Sequence, residues 1–95
     1  MITHIVIFRW IGGTTAEQVA SVRGALDRLA SELVDLASIS HGPDLGMRDG
    51  NGDYALVAKF ANSDGWGAYQ GHPAHQVFVR DFVAPIQASR ITVQF

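Results

Sequence analysis

The stretch Ile2-Thr3-His4-Ile5-Val6-Ile7-Phe8-Arg9-Trp10-Ile11 constrains the fold more than any other. It is dense in β-branched and aromatic residues, which favour a pleated strand. Alternate residues of a strand point to opposite sides. One side therefore carries Ile2, His4, Val6, Phe8 and Trp10, and the other Thr3, Ile5, Ile7, Arg9 and Ile11. A strand with one wet face alternates apolar with polar residues. This one is apolar on both, so both sides are expected to be covered. Helices of the same chain can cover one. The sheet of a second copy is the simplest cover for the other. A chain of 95 residues buries a limited share of its own surface, so pairing would also help its stability.

The rest of the chain supplies the helices and three further strands. Gly12-Gly13 breaks the strand, and Thr14-Thr15-Ala16-Glu17-Gln18 carries a capping box in either of two registers, Thr14 with Glu17 or Thr15 with Gln18. Val19, Val22, Leu26, Leu29, Leu33 and Leu36 then form one apolar stripe at helical spacing. A second strand is read in the first half of Leu36–Gly46, with a turn from Gly42-Pro43. Asp49-Gly50-Asn51-Gly52-Asp53 reads as a hairpin tip, and Tyr54–Phe60 as a third strand with Tyr54, Leu56, Ala58 and Phe60 on one face. Asn62-Ser63-Asp64 can cap a short helix. Gly71-His72-Pro73 interrupts it, and a new helix starts at Pro73 with Val77, Phe78, Phe82 and Ile86 facing inward until Pro85 ends it. Arg90–Phe95 alternates as a last strand. The order is β-α-β-β-α-β with a broken second helix. That is an α+β, ferredoxin-like arrangement: one antiparallel sheet with helices on one face, in a single domain over residues 1–95.

Charge and composition exclude several partners. The net charge is −2 with no basic cluster, so nucleic acid is not expected. No apolar run approaches a membrane span, and the first residues lack a basic, cleavable leader. With no Cys there is neither a disulfide framework nor thiolate chemistry, which fits a cytoplasmic protein.

Candidate chemistry concentrates in Tyr69-Gln70-Gly71-His72-Pro73-Ala74-His75, which holds two of the chain's four histidines and one of its two tyrosines. Near neutral pH a histidine can move a proton, and a tyrosine hydroxyl can bind a carbonyl oxygen that gains charge. His75 and Tyr69 can thus act as base and carbonyl partner. They can equally be structural, a histidine tying a helix start to the sheet and a core aromatic with a satisfied hydroxyl. His4, on the same strand face as Val6 and Phe8, joins them if that face meets the helices. Phe8, Tyr54, Trp66 and Phe78 are candidates for lining an aromatic pocket. Gly65 and Gly67 beside Trp66 lower helix propensity and suggest a lid. His72 and His75 form His-x-x-His, but no third ligand accompanies them, so no metal is expected. No phosphate-binding glycine loop is present, and no cofactor is expected.

His4 in a first strand, Gly42-Pro43-Asp44-Leu45-Gly46, Tyr69-Gln70-Gly71-His72-Pro73-Ala74-His75 with Phe78, and Pro85 together resemble the Dabb family, the stress-responsive α/β-barrel domain proteins. The resemblance spans essentially the whole chain. It implies a dimer in which two ferredoxin-like sheets pack face to face as an α+β barrel. Many members of that family have no assigned activity. One branch, a plant polyketide cyclase of olivetolic acid formation, closes a linear polyketide by aldol condensation. By resemblance its base and tyrosine fall on His75 and Tyr69, its strand histidine on His4, and a pocket histidine on Tyr54. The expected function is a homodimeric protein binding a small apolar or aromatic molecule between sheet and helices. The alternatives are a cofactor-independent cyclase-like enzyme and, last, a cofactor-free monooxygenase.

Overall fold

The computed structural model describes residues 1–95. The elements are β1 (Ile2–Trp10), α1 (Ala16–Glu32), β2 (Ser38–Pro43), β3 (Tyr54–Phe60), α2 (Ser63–Gly71), α3 (Pro73–Phe78), a π-helical turn (Val79–Val83) and β4 (Gln87–Gln94). The four strands form one antiparallel sheet in the order β2-β3-β1-β4. This is the ferredoxin-like α+β architecture. No helix is long and apolar enough to cross a membrane.

Side-chain alternation sends His4, Val6 and Phe8 of β1 under the helices, where all three are buried. In the antiparallel register Tyr54, Leu56 and Ala58 of β3 lie opposite Phe8, Val6 and His4, and are buried with them. The same register puts Arg90, Thr92 and Gln94 of β4 opposite Phe8, Val6 and His4. Val22, Ala25, Leu26, Leu29 and Leu33 of α1 and its end close the core from above. The other sheet face is open. Ile7, Ile91 and Val93 are exposed on it, with Ile5 and Val57 half-buried beside them.

Local chemistry explains the element boundaries. Of the two capping registers, Thr15 with Gln18 forms: Thr15 Oγ1 accepts from the Gln18 N–H at 3.1 Å, and Gln18 Oε1 accepts from the Thr15 N–H at 2.8 Å. Thr14 instead donates to the Ile11 carbonyl at 2.7 Å. The hairpin after β2 is tied to β1: Asp53 N–H donates to the Phe8 carbonyl at 2.8 Å, and Asp53 Oδ2 accepts from the Trp10 N–H at 2.8 Å. Gly52 is required there, since a Cβ would lie 2.4 Å from Ile7 Cγ2. Asn62 Oδ1 accepts from the Gly65 N–H at 3.0 Å, and α2 runs through both glycines flanking Trp66. His72 Nδ1 accepts from the Ala74 N–H at 3.1 Å, so His72 caps α3 with Pro73 in its first turn.

The inward face after Pro73 differs from the expected one. Phe78 and Ile86 are buried, but Val77 is 41% exposed and Phe82 is half-buried. Val83, at 1% exposed, takes the core position. The cause is the π turn, in which the Ala84 N–H reaches back to the Val79 carbonyl at 2.8 Å. One extra residue per turn advances the helical phase. Phe82 is thereby swung towards α1, where the Arg28 guanidinium lies 5.8 Å from its ring centroid.

Candidate functional site

A cavity of about 180 Å³ lies between the sheet and the α2–α3–π-turn layer. Its walls include His4, Phe8, Trp66, Tyr69, His75 and Phe78, all named above from the sequence. The β4 residues Arg90, Thr92 and Gln94 complete its exposed side. Strand β1 supplies His4 and Phe8 from one face, two turns of α2 supply Trp66 and Tyr69 at i and i+3, and α3 supplies His75 and Phe78 at the same spacing. The break at Gly71-His72-Pro73 sets His75 against Tyr69, with ring centroids 4.4 Å apart.

The polar groups of this cavity are held in defined states. Gln94 Nε2 donates to His4 Nδ1 at 2.9 Å, so the His4 proton resides on Nε2. Burial, and then the Arg90 charge, lower the pKa of His4 below its ordinary value. Burial also lowers that of His75. The Gln70 backbone works against this shift, and the charges of His4, Arg90 and His72 add to it. Both imidazoles are therefore neutral near pH 7, the form a base requires. Tyr69 is fully buried, and burial pushes its phenol up to about 12, so it stays protonated. Its hydroxyl and the Trp66 indole N–H are buried with no hydrogen-bond partner. An unmade hydrogen bond of this kind costs about 1–3 kcal/mol.

Acidification is expected to destabilise the fold through these two histidines. Their folded-state pKa values lie below the ordinary 6.5, so the unfolded chain binds more protons in the window just below it. Their contribution is complete above pH 6.5 and is lost as pH falls through the folded-state values. Urea midpoints should therefore drop between pH 7.5 and pH 5.5. His4→Gln and His75→Gln should each flatten that dependence; an unchanged slope in both would contradict the assignment.

Tyr54 lies outside this cavity, contrary to its expected place in an aromatic lining. It faces the same side of the sheet as Leu56 but sits at the far end of β3. Its hydroxyl meets His41 Nδ1 at 2.7 Å, and His41 Nε2 meets Asp27 Oδ1 at 2.7 Å. With the carboxylate accepting from Nε2–H, Nδ1 accepts from the tyrosine hydroxyl. This chain of bonds ties α1 to β2 and β3. Burial raises the Tyr54 pKa; Arg23 opposes that shift, and Asp27 adds to it. His72 is occupied as a helix cap. A larger groove of about 480 Å³, lined by Ile7, Leu45 and Met47 among others, lies on the open face of the sheet, away from the histidines of the cavity.

Sequence reasoning did not single out Arg90, Thr92 and Gln94 for the cavity. The signal was their alternation with Ile91 and Val93, which becomes informative only once β4 is placed beside β1.

The family model described as the stress responsive A/B barrel domain (Dabb) matches residues 2–95. The chain belongs to this family. Among solved structures, this Dabb domain is similar to a dimeric ferredoxin-like protein of unknown function from Thermobifida fusca YX, at 41% identity and TM-score 0.91, over 99% of this chain and 88% of that one. A Dabb family protein from Mesorhizobium loti matches at 18% identity and TM-score 0.73, over 99% and 93%. A hydroxynitrile lyase from Passiflora edulis matches at 17% identity and TM-score 0.82, over 99% and 90%. The last two likenesses are of fold alone. No curated protein matches the sequence.

Proposed function

We propose that this Dabb domain binds a small apolar or aromatic molecule in the cavity beneath α2 and α3, as a homodimer. The observation that carries the reading is the pair of buried, unpartnered donors, Tyr69 OH and Trp66 Nε1–H, on the walls of one cavity. Buried polar groups are nearly always satisfied, and a ligand acceptor would satisfy these. Assembly is supported by the apolar outer face of Ile5, Ile7, Val57, Ile91 and Val93, and by the dimeric description of the Thermobifida fusca relative.

A second reading adds proton transfer, favoured by neutral His75 packed on protonated Tyr69. His75 would take a proton from a carbon between two carbonyls, and Tyr69 would hydrogen-bond the resulting enolate oxygen. The enolate carbon would attack a further carbonyl of the same molecule, and the alkoxide formed there would take the proton back from His75, as in an aldol-type cyclase. The hydroxynitrile lyase from Passiflora edulis indicates that this fold can carry catalysis. The binding reading is tested by titrating aromatic carbonyl compounds while recording the imidazole resonances of His4 and His75. Shifts at both are expected, and silence across the series at millimolar concentration would sink the reading. For turnover, a β-polyketone should disappear with wild type and persist with His75→Ala; equal rates would remove His75 as the base.

A further inference from the structure

We infer that the cavity accepts a small organic carboxylate of about benzoate size, and that Arg90 at its exposed side selects the charge. This rests on the reading of the cavity as a ligand site. The walls contain one permanent cation and no carboxylate, although the chain has nine acidic residues. The chain's two ion pairs are His41–Asp27 and Arg80–Asp81, so Arg90 has no acidic partner. Its position is set by the sheet: it lies opposite buried Phe8 and so shares the face of His4, four residues further along β1. Its charge is felt at both His4 and His75.

The other polar wall groups point to the same ligand chemistry. Trp66 Nε1–H can only donate, and Tyr69 is held as a phenol, so the unpartnered buried groups are donors without acceptors. A carboxylate offers two oxygens with about four lone-pair sites and meets guanidinium in a matched planar geometry. Val6, Phe8, Leu56, Phe78 and Val83 form the remaining wall and call for an apolar body. A bare inorganic anion would leave that wall uncovered. A dry cavity of about 150 Å³ holds benzene. The 180 Å³ here suits one ring or a short branched chain with its carboxylate directed towards Arg90.

The test uses benzoate and phenylacetate, their isosteric amides, and inorganic phosphate, with affinity from calorimetry and location from the His4 and His75 resonances. The carboxylates are expected to bind about tenfold or more tighter than the amides, in line with a charge-assisted hydrogen bond. Arg90→Gln should erase that preference, whereas Arg48→Gln in the exposed hairpin should leave it intact. Equal binding of acids and amides by wild type, a preference retained in Arg90→Gln, or binding of phosphate alone would overturn the charge selection. If the amides still move both imidazoles in those cases, the ligand-site reading stands. If no probe moves them, both fall.

Discussion

Ile91→Lys is expected to leave the chain folded and to convert the homodimer proposed above to a monomer. Ile91 is 66% exposed in the isolated chain, so a lysine there meets water and costs the monomer little. Its cross-strand neighbour is Ile7, on the outer face of β1. If a second sheet packs on this face, the lysine is buried among apolar side chains without a partner. Removing such a charge from water costs roughly 3 kcal/mol or more. The dissociation constant of the dimer should then rise by about a hundredfold or more. Sedimentation or light scattering at micromolar concentration reads the change, and far-ultraviolet circular dichroism checks the fold. A variant that remains dimeric with wild-type affinity would mean that the apolar outer face is not the interface.

Leu26→Ala should cost about 2–5 kcal/mol of stability. Leu26 is fully buried in the middle of α1, packed in the core beneath the helix. The loss has two parts, the transfer of its methyl groups and the void left by neighbours that relax incompletely. For a domain of this size the melting temperature should fall by roughly 8 °C or more. Val34→Ala provides the contrast. Val34 is 72% exposed just past the end of α1, and its loss should stay within about 0.5 kcal/mol. Both variants need comparison at one protein concentration, because the proposed dimerisation would add to apparent stability. Similar losses in the two would show that the core has been misplaced.

The parts of the fold legible in the sequence are those set by short-range periodicity. Ile2–Ile11 shows two apolar faces because strand alternation has a period of two residues. Val22 to Leu33 shows one stripe because helical period does not depend on what the helix covers. His4, Tyr69 and His75 are legible as candidates because few residue types move protons at neutral pH. Their convergence depends on the sheet face of His4, which no local pattern reveals. Tyr54 shows the limit of analogy by position: it lies on the right face of β3, but at the end where His41 and Asp27 take its hydroxyl. His41 is silent in the sequence for the same reason, since its partners stand 14 residues before it and 13 after it. The π turn has no residue signature at all. Val79-Arg80-Asp81-Phe82-Val83 is compatible with an ordinary helix, and only packing selects the wider turn.

That wider turn makes chain length a determinant of cavity shape. A π turn is an α-helix with one residue added. It lets Phe78, Val79 and Val83 all reach the cavity and sends Phe82 outward to Arg28. Removing a residue between His75 and Pro85 would return Phe82 to the inner phase and redraw the cavity, with every wall residue named above still encoded. Relatives that differ by a single gap in this segment would then differ in the shape of this cavity, even where their histidines and tyrosine coincide. If the cavity is the ligand site proposed above, its specificity can diverge by insertion and deletion as well as by substitution.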